Sequence, residues 1–258
     1  MKTITRKTML YKTGVEYGDY TMNHVLGCAH GCKYPCYAFL QKKRYGQVES
    51  YEKWLEPYLV SNTLELLDKE IPRLKTKIKS VQLCFSTDPF MYGFEEIKKM
   101  SLAAINKLND AGIKCTVLTK GLLPPELVMY SADNEYGITL ISLNEEYRER
   151  LEPGAAPYEN RLAALKVLHE KGCKTWVSIE PYPTPNLIEQ DLDVILYAVQ
   201  FTDKIIFGRT NYNKEISAYK LHCAFYNDQA DKVIAFCNNR DIQYHIKDGT
   251  ITSLEKEQ

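Results

Sequence analysis

The sequence predicts an α/β fold: a partial (β/α)6 TIM-like barrel of parallel strands with outer helices. Short apolar, β-branched segments alternate along the chain with longer helical stretches, and clusters of polar residues follow the strands. Strands that alternate with helices imply parallel pairing, because the chain crosses back over the sheet between strands. About six such units are too few for a closed eight-stranded barrel. A chain of 258 residues, 45% hydrophobic, is long enough to bury such a core.

Each predicted strand is short, rich in β-branched or aromatic residues, and bounded by polar or turn residues. The strands are predicted at 21–26, 81–85, 115–118, 138–141, 175–179 and 204–207, with a last strand at 242–246. Helices are predicted between them at 61–74, 95–111, 158–171, 187–199 and 216–237. Gly112 and Gly172 follow two of these helices and are typical C-terminal stops.

The predicted elements and the charge pattern divide the chain into three parts. These are an N-terminal basic arm at 1–19, a core domain at 20–215, and a C-terminal helix and strand at 216–258 that complete or cap the barrel. A second basic run, Lys42, Lys43 and Arg44, follows the core's first loop. Such runs are typical of a solvated surface, and the alternative is contact with phosphates or an acidic partner. With 33 basic and 33 acidic residues, the chain has no overall field to attract nucleic acid.

Apolar segments and cysteine usage indicate a cytoplasmic protein with no membrane partner. The apolar stretch at 9–11 is too short for a signal peptide, and no run approaches transmembrane length. Eight cysteines in such a chain favour metal ligands and buried thiols over a disulfide framework. Five of them are scattered singly and are predicted to be mostly core residues: Cys84, Cys115, Cys173, Cys223 and Cys237.

The other three cysteines, Cys28, Cys32 and Cys36, lie within nine residues. Three thiolates from one loop can hold three irons of a 4Fe–4S cube and leave the fourth iron open for chemistry. The alternative is a non-catalytic metal-binding or interaction module with a structural zinc site, for which His30 lies between two of the cysteines. We expect His30 to pack beside the loop rather than to bind a metal.

Polar residues also follow the later predicted strands. Because the carboxyl ends of parallel strands meet at one rim, we expect these residues to surround one ligand site. In chain order they are Ser86, Thr87, Asp88, Lys120, Ser142, Glu180, Arg209 and Asn211. The alternative for each is an ordinary turn, surface or ion-pair role. Glu152, Pro153 and Arg161 are predicted to organise a loop and the start of a helix.

Several ordered motifs resemble those of radical SAM enzymes, specifically the branch of spore photoproduct lyase and its DNA-repair-photolyase-like relatives. The segments are NHVLGCAHGCKYPCYAF, FSTDP, TKG and ISLNEEYRERLEPGAAPYENRLAALKVLHEKG, and the resemblance covers about 20–215. The family spacing is CxxxCxxC, whereas this chain has CxxxCxxxC because Pro35 is added. That Tyr-Pro-Cys-Tyr variant is similar to the small radical SAM mobile pair proteins.

The resemblance implies an enzyme with a 4Fe–4S cluster whose open iron is chelated by S-adenosylmethionine. Reductive cleavage then gives methionine and a 5′-deoxyadenosyl radical, which abstracts hydrogen from a substrate. The resemblance implies a reductant such as flavodoxin or ferredoxin. It leaves the substrate open, with a nucleic acid or nucleotide favoured and a peptide or partner protein as the other class.

The resemblance also implies roles for the rim residues. Lys120 is the cation for the methionine carboxylate, and Ser142 is the partner of the ribose hydroxyls. The remaining candidates are Ser86, Thr87 and Asp88 for the methionine ammonium, Tyr34 or Tyr37 for the adenine, and Glu180, Arg209 and Asn211 for cofactor or substrate.

Spore photoproduct lyases carry a hydrogen-donating cysteine just before the second-strand motif. Here Phe85 occupies the comparable position and Cys84 lies one residue earlier. Adjacent residues of a strand point to opposite faces, so Cys84 is predicted to be a core thiol. The repair activity of that enzyme is therefore not expected here.

Overall fold

The computed structural model describes residues 1–252, so the last six residues of the predicted C-terminal part lie outside the described residues. The strands are β1 (Lys2–Ile4), β2 (Tyr11–Lys12), β3 (Tyr20–Met22), β4 (Val25–Leu26), β5 (Tyr58–Val60), β6 (Ser80–Leu83), β7 (Lys114–Thr119), β8 (Glu135–Thr139), β9 (Lys174–Tyr182), β10 (Lys204–Arg209) and β11 (Gln243–Ile246). The helices are α1 (Tyr37–Arg44), α2 (Tyr51–Trp54), α3 (Thr63–Leu74), α4 (Glu95–Asp110), α5 (Glu145–Leu151), α6 (Tyr158–Glu170), α7 (Leu192–Ala198), α8 (Lys214–Ala218) and α9 (His222–Asn238).

The main sheet runs in the order β2-β3-β6-β7-β8-β9-β10-β11. All neighbours from β3 to β11 are parallel, and only β2 pairs antiparallel with β3. A small sheet, β1-β5-β4, lies beside it. Parallel strands joined by helices confirm the predicted partial barrel.

Apolar residues of the central strands form the core. Leu83, Val117, Ile138, Val177 and Ile205 come from five consecutive strands of the sheet, and all are fully buried. Fully burying an aliphatic side chain of this kind stabilises a fold by roughly 1.5–3 kcal/mol. The sheet is therefore a rigid base for the loops that follow its strands.

The outer helices follow the predicted apolar periodicity. On α4, Ile97, Ser101, Ala104 and Leu108 are buried at spacings of three and four, so one face of the helix packs inward. The predicted stop at Gly112 lies just beyond the helix with φ +75°, a conformation that favours glycine. Within residues 1–252, none of the helices is long and apolar enough to cross a membrane.

Three predicted boundaries differ from the structure. The predicted strand at 21–26 is two strands, β3 and β4, in different sheets, because the chain leaves the ladder at Asn23 and His24. The strand predicted at 138–141 is β8, whose ladder ends at Thr139. The long C-terminal helix is two helices, α8 and α9.

Gly137 explains the shift of β8. An added Cβ there would lie 2.4 Å from the Trp176 ring of the neighbouring strand, so only glycine fits the close approach. Glycine interrupts the apolar pattern near the start of β8, so the predicted strand begins too late. Leu140 and Ile141 are buried but lie beyond the end of β8, so the predicted strand also ends too late.

Glu16 joins the two edges of the barrel. It follows β2, and its carboxylate contacts His245 Nε2 of β11 at 3.0 Å and accepts a hydrogen bond from Asp248 N at 3.0 Å. Tyr17 packs edge-on against His245 and Trp176. The segment between β2 and β3 thereby becomes part of the wall of the central cavity.

Candidate active site

A cavity of about 400 Å³ opens at the carboxyl ends of the strands. Its walls are the cysteine loop, the segment between β2 and β3, and the segments that end β6, β7, β8, β9, β10 and β11. All but one of the rim residues singled out in the sequence line it: Cys28, Cys32, Tyr34, Cys36, Tyr37, Ser86, Thr87, Asp88, Lys120, Glu180, Arg209 and Asn211. The sequence pattern therefore located the rim, although it could not give the side-chain contacts.

Ser142 is the exception. It is fully buried, does not line the cavity, and its hydroxyl accepts a hydrogen bond from Asn144 N at 3.1 Å. Because β8 ends three residues before Ser142, the rim residue of this strand is Thr139. Thr139 and Ser178 line the cavity and were missed. Placing the end of β8 correctly in the sequence would have identified Thr139 as a rim residue.

Two glycines shape the cysteine loop. At Gly27, φ is +86°, and an added Cβ would lie 2.8 Å from the backbone oxygens of Trp54 and Glu56. Cys28 N donates to Trp54 O at 2.8 Å, which anchors the loop to the end of α2. Gly31 has φ +66°. Such backbone conformations are open to glycine without strain.

The other side of the loop rests on the Glu152–Gly154 turn. Gly154 N donates to His30 O at 2.9 Å, and an added Cβ on Gly154 would lie 2.1 Å from Ala29 O. His30 is buried, with Nδ1 3.6 Å from Asp88 Oδ2 and Nε2 accepting from Tyr92 N at 3.4 Å. His30 thus packs beneath the loop.

We expect Gly154→Ala to push the cysteine loop away from this turn. The added methyl cannot coexist with Ala29 O, so the free energy of unfolding falls by about 1–3 kcal/mol. Iron incorporation after reconstitution should fall as well. Gly14→Ala is the matched control, because a Cβ there meets nothing within 4 Å. Denaturant unfolding and iron analysis of the two variants check this, and equal behaviour would contradict it.

The donor set of the loop fits a cubane cluster. All eight cysteines are free thiols, and the three loop thiols face one cavity. Lys120 Nζ lies 3.7 Å from Cys32 Sγ, close enough for a hydrogen bond to the sulfur. In residues 1–252, no three His, Cys, Asp or Glu side chains are grouped around a position for a single metal ion. Thiolates are the ligands of iron–sulfur clusters, and three leave one iron of a cube open.

A buried ionic network lies behind Cys32. Glu152 is fully buried; its Oε1 is 2.6 Å from Lys120 Nζ and its Oε2 is 2.9 Å from Arg161 Nη2. The Tyr34 hydroxyl also donates to Glu152 Oε1. Burial by itself raises the pKa of Glu152, but the two cations outweigh burial and hold the pKa below its ordinary value. The Lys120 ammonium therefore already has a carboxylate partner inside the protein.

The predicted ammonium acceptors are also bound internally. Asp88 Oδ1 accepts from Thr119 Oγ1 at 2.6 Å, and Oδ2 accepts from Lys120 N at 2.8 Å. Ser86 Oγ donates to Asn23 Oδ1 at 2.9 Å, and Thr87 Oγ1 donates to Val25 O at 3.3 Å. Asp88 thus connects the loop after β6 to the end of β7, and Asp88 also lines the cavity.

The two candidate tyrosines differ in exposure. Tyr34 is buried, with Lys120 Nζ 4.5 Å from its ring centroid. Tyr37 is 56% exposed at the start of α1, and its hydroxyl donates to Phe85 O. Tyr37 therefore offers a free ring face at the rim, whereas Tyr34 serves the buried network.

Cys84 lies just beyond the end of β6, where the alternation of strand side chains no longer applies. It has φ +53° and is buried in an apolar cluster with Val25, Met91 and Ile97. Its sulfur is 3.4 Å from His24 Nδ1, and it also borders the cavity. Burial raises the pKa of the thiol to about 12, so it is protonated at neutral pH.

The far wall of the cavity carries opposite charges. Glu180 Oε2 lies 3.2 Å from Lys247 Nζ, and burial raises the pKa of Glu180. Arg209 Nε donates to Asn211 Oδ1 at 3.0 Å. Lys247 was not singled out in the sequence, because it follows the last strand, where no motif marks it.

Two curated relatives match part of the chain. An uncharacterized protein of Acidianus two-tailed virus is 26% identical over 189 residues, which cover 69% of this chain and 61% of the relative. An uncharacterized protein of Methanocaldococcus jannaschii is 29% identical over 189 residues, which cover 72% of this chain and 68% of the relative. The chain thus spans about three fifths of the length of the viral relative.

Solved structures share the fold. Spore photoproduct lyase in complex with dinucleoside spore photoproduct has a TM-score of 0.69 at 14% identity, over 94% of this chain and 80% of that one. Streptococcus suis SuiB bound to S-adenosylmethionine has a TM-score of 0.52 at 14% identity, over 70% and 40% of the two chains. The sequence model of the radical SAM superfamily matches residues 22–197, more than half of the chain. This protein therefore belongs to the radical SAM superfamily.

Proposed function

We propose that this protein cleaves S-adenosylmethionine reductively to methionine and a 5′-deoxyadenosyl radical, which abstracts hydrogen from a nucleic acid or nucleotide. The superfamily implies a 4Fe–4S cluster and S-adenosylmethionine. The observation that carries the proposal is the convergence of three loop thiols and the strand-end polar residues on one cavity. When bound, the cluster supplies one electron, which a reductant such as flavodoxin or ferredoxin replaces.

The chain's own residues hold, orient and shield the reactants. Cys28, Cys32 and Cys36 would hold three irons of the cluster. Cys32 Sγ and Glu152 take two of the three ammonium hydrogens of Lys120, and the third is left for the carboxylate of S-adenosylmethionine. Apolar side chains supply most of the cavity wall, which limits water around a radical.

Two features support a nucleic acid or nucleotide as substrate. The fold is that of spore photoproduct lyase, whose solved complex holds a dinucleoside. The basic run Lys42, Lys43 and Arg44 occupies the last turn of α1, the helix that starts directly after Cys36. Cations on a surface beside the cavity favour the approach of phosphates.

We expect anaerobically reconstituted protein to form 5′-deoxyadenosine from S-adenosylmethionine after reduction with dithionite. The triple variant Cys28→Ala/Cys32→Ala/Cys36→Ala should bind no cluster and form none, because its irons lose all three protein ligands. Iron and sulfide analysis, the visible absorbance of the cluster and chromatography of the products check this.

The rival zinc module gives a different result. Protein purified without air would then contain stoichiometric zinc, remain colourless and form no cluster on reconstitution. A full cluster without any 5′-deoxyadenosine, in the presence of a nucleic-acid mixture, would contradict the proposed reaction while leaving the cluster established.

A further inference from the structure

We propose that the end of β10 and the turn after it bind an oxyanion group of the substrate, through Arg209 and Asn211, with Tyr212 against the adjoining body of the substrate. This inference rests on the proposed function, because it names the part of the substrate that the radical site holds. It concerns the wall of the cavity opposite the cysteine loop, where the charges are not all matched.

The cations that line the cavity differ in their partners. Lys120 is paired with Glu152 at 2.6 Å, and Lys247 is paired with Glu180 at 3.2 Å. Arg209 has no such partner: among residues 1–252, no carboxylate lies within 4.0 Å of its guanidinium nitrogens. A cation that faces a mostly apolar cavity without a counter-ion is a site for an anionic ligand.

The geometry of the turn leaves hydrogen-bond donors free. Arg209 Nε is used by Asn211 Oδ1, so both terminal guanidinium nitrogens and the Asn211 amide nitrogen remain available within the described chain. A planar guanidinium matches phosphate and carboxylate through two parallel hydrogen bonds. Gly249 lies beside the guanidinium in a left-handed conformation, φ +75°, which glycine adopts without strain.

The backbone of the turn is fixed in place. Thr210 N donates to the Tyr226 hydroxyl at 3.2 Å, and Thr210 Oγ1 donates to Tyr182 O at 2.8 Å. Arg209 N donates to Thr250 Oγ1 at 3.4 Å. A turn pinned on both sides holds its side chains at defined positions, which a ligand site requires.

Tyr212 completes the site. It lines the cavity, its side chain is 76% exposed, and its φ of +61° is strained for a residue other than glycine. Strained backbone persists where the surroundings enforce it, and such positions cluster at ligand sites. An exposed tyrosine ring beside free cationic donors is suited to a planar group that carries an oxyanion.

S-adenosylmethionine itself does not account for this site. The proposed function assigns its carboxylate to Lys120, which directly follows β7. In the sheet, β10 lies three strands from β7, about 14 Å along the sheet at the usual strand spacing. An anchor at that distance leaves the cavity between the two sites for the part of the substrate that reacts.

The test uses three aromatic probes on the reconstituted protein: phenyl phosphate, phenylacetate and neutral benzyl alcohol. We expect calorimetry to show at least one oxyanion binding about tenfold or more tightly than benzyl alcohol. The tighter of the two anions identifies phosphate or carboxylate as the group. Arg209→Gln should remove this preference, Arg209→Lys should retain part of it, and Arg73→Gln, an exposed arginine on α3, should keep it.

Three results would overturn the inference. Phenyl phosphate and phenylacetate binding no better than benzyl alcohol to the wild type is one, and equal anion binding by Arg209→Gln is another. The third is competitive displacement of the bound anion by S-adenosylmethionine, which would assign Arg209 to the cofactor. Cluster content and S-adenosylmethionine affinity of the same wild-type preparation are measured separately, so that failure of the proposed function is distinguishable from failure of the anion site.

Discussion

Replacing Glu152 with alanine is expected to lower the free energy of unfolding by about 3–5 kcal/mol. Glu152 is fully buried and is the shared anion of Lys120 and Arg161. Its removal leaves two cations in the interior without a counter-charge, and Arg161 is itself fully buried. Breaking a buried pair by deleting one partner is costly for that reason. Urea unfolding of cluster-free, reduced protein measures the loss.

Glu149 on α5 supplies the matched control. Its carboxylate is 3.5 Å from Arg148, but its side chain is 71% exposed, so Glu149→Ala should cost no more than about 1 kcal/mol. Glu152→Gln separates charge from volume, because it fills the same space with a neutral group. A loss for Glu152→Gln near that of Glu152→Ala assigns the effect to charge. A Glu152→Ala variant as stable as Glu149→Ala would refute the ionic network.

The buried network also shows what the sequence could and could not predict. The cysteine spacing is local, so the loop that holds Cys28, Cys32 and Cys36 could be predicted directly from the sequence. The same holds for the rim residues that follow clearly marked strands. The partners of those residues are long-range: Lys120 and Glu152 are separated by 32 positions. Whether a rim lysine is free for a ligand depends on such partners, which no local pattern encodes.

Errors of strand register had the largest consequences. Gly137 hides the start of β8, and the prediction therefore moved the rim from Thr139 to Ser142. Arg209 and Asn211 line the cavity at the predicted position, but the left-handed backbone of Tyr212 carries no sequence signal other than an adjacent asparagine. Rim positions are thus predictable to within the accuracy of the strand ends.

A second large effect is expected from His24 as the pH falls. His24 is fully buried, and burial lowers its pKa to about 3 from an ordinary value of 6.5. The Ser101 hydroxyl donates to Pro89 O and lies 2.7 Å from His24 Nε2, so it accepts the Nε2 proton. Nδ1 is then the unprotonated nitrogen and faces the Cys84 thiol at 3.4 Å. The contacts therefore suit the neutral ring.

Proton uptake by the unfolded chain sets the direction in which stability changes with pH. Between pH 6.5 and 3 the unfolded chain binds a proton at His24 that the folded chain does not, so stability is lost as the pH falls through this range. One group contributes up to about 1.4 kcal/mol per pH unit. Other carboxylates also titrate here, so the measured quantity is the difference in unfolding free energy between wild type and His24→Gln, a variant that cannot take up the proton.

That difference should shift by about 2.5 kcal/mol between pH 6 and pH 4, with the wild type losing stability faster. Ser101→Ala is the control, because it removes the hydroxyl beside Nε2 but leaves the imidazole able to titrate. It should lower stability at every pH and keep a slope close to that of the wild type. Parallel slopes for wild type and His24→Gln would mean that the ring accepts a proton inside the fold. In that case the neutral contact with Cys84 and Ser101 would not be the state that the folded protein maintains.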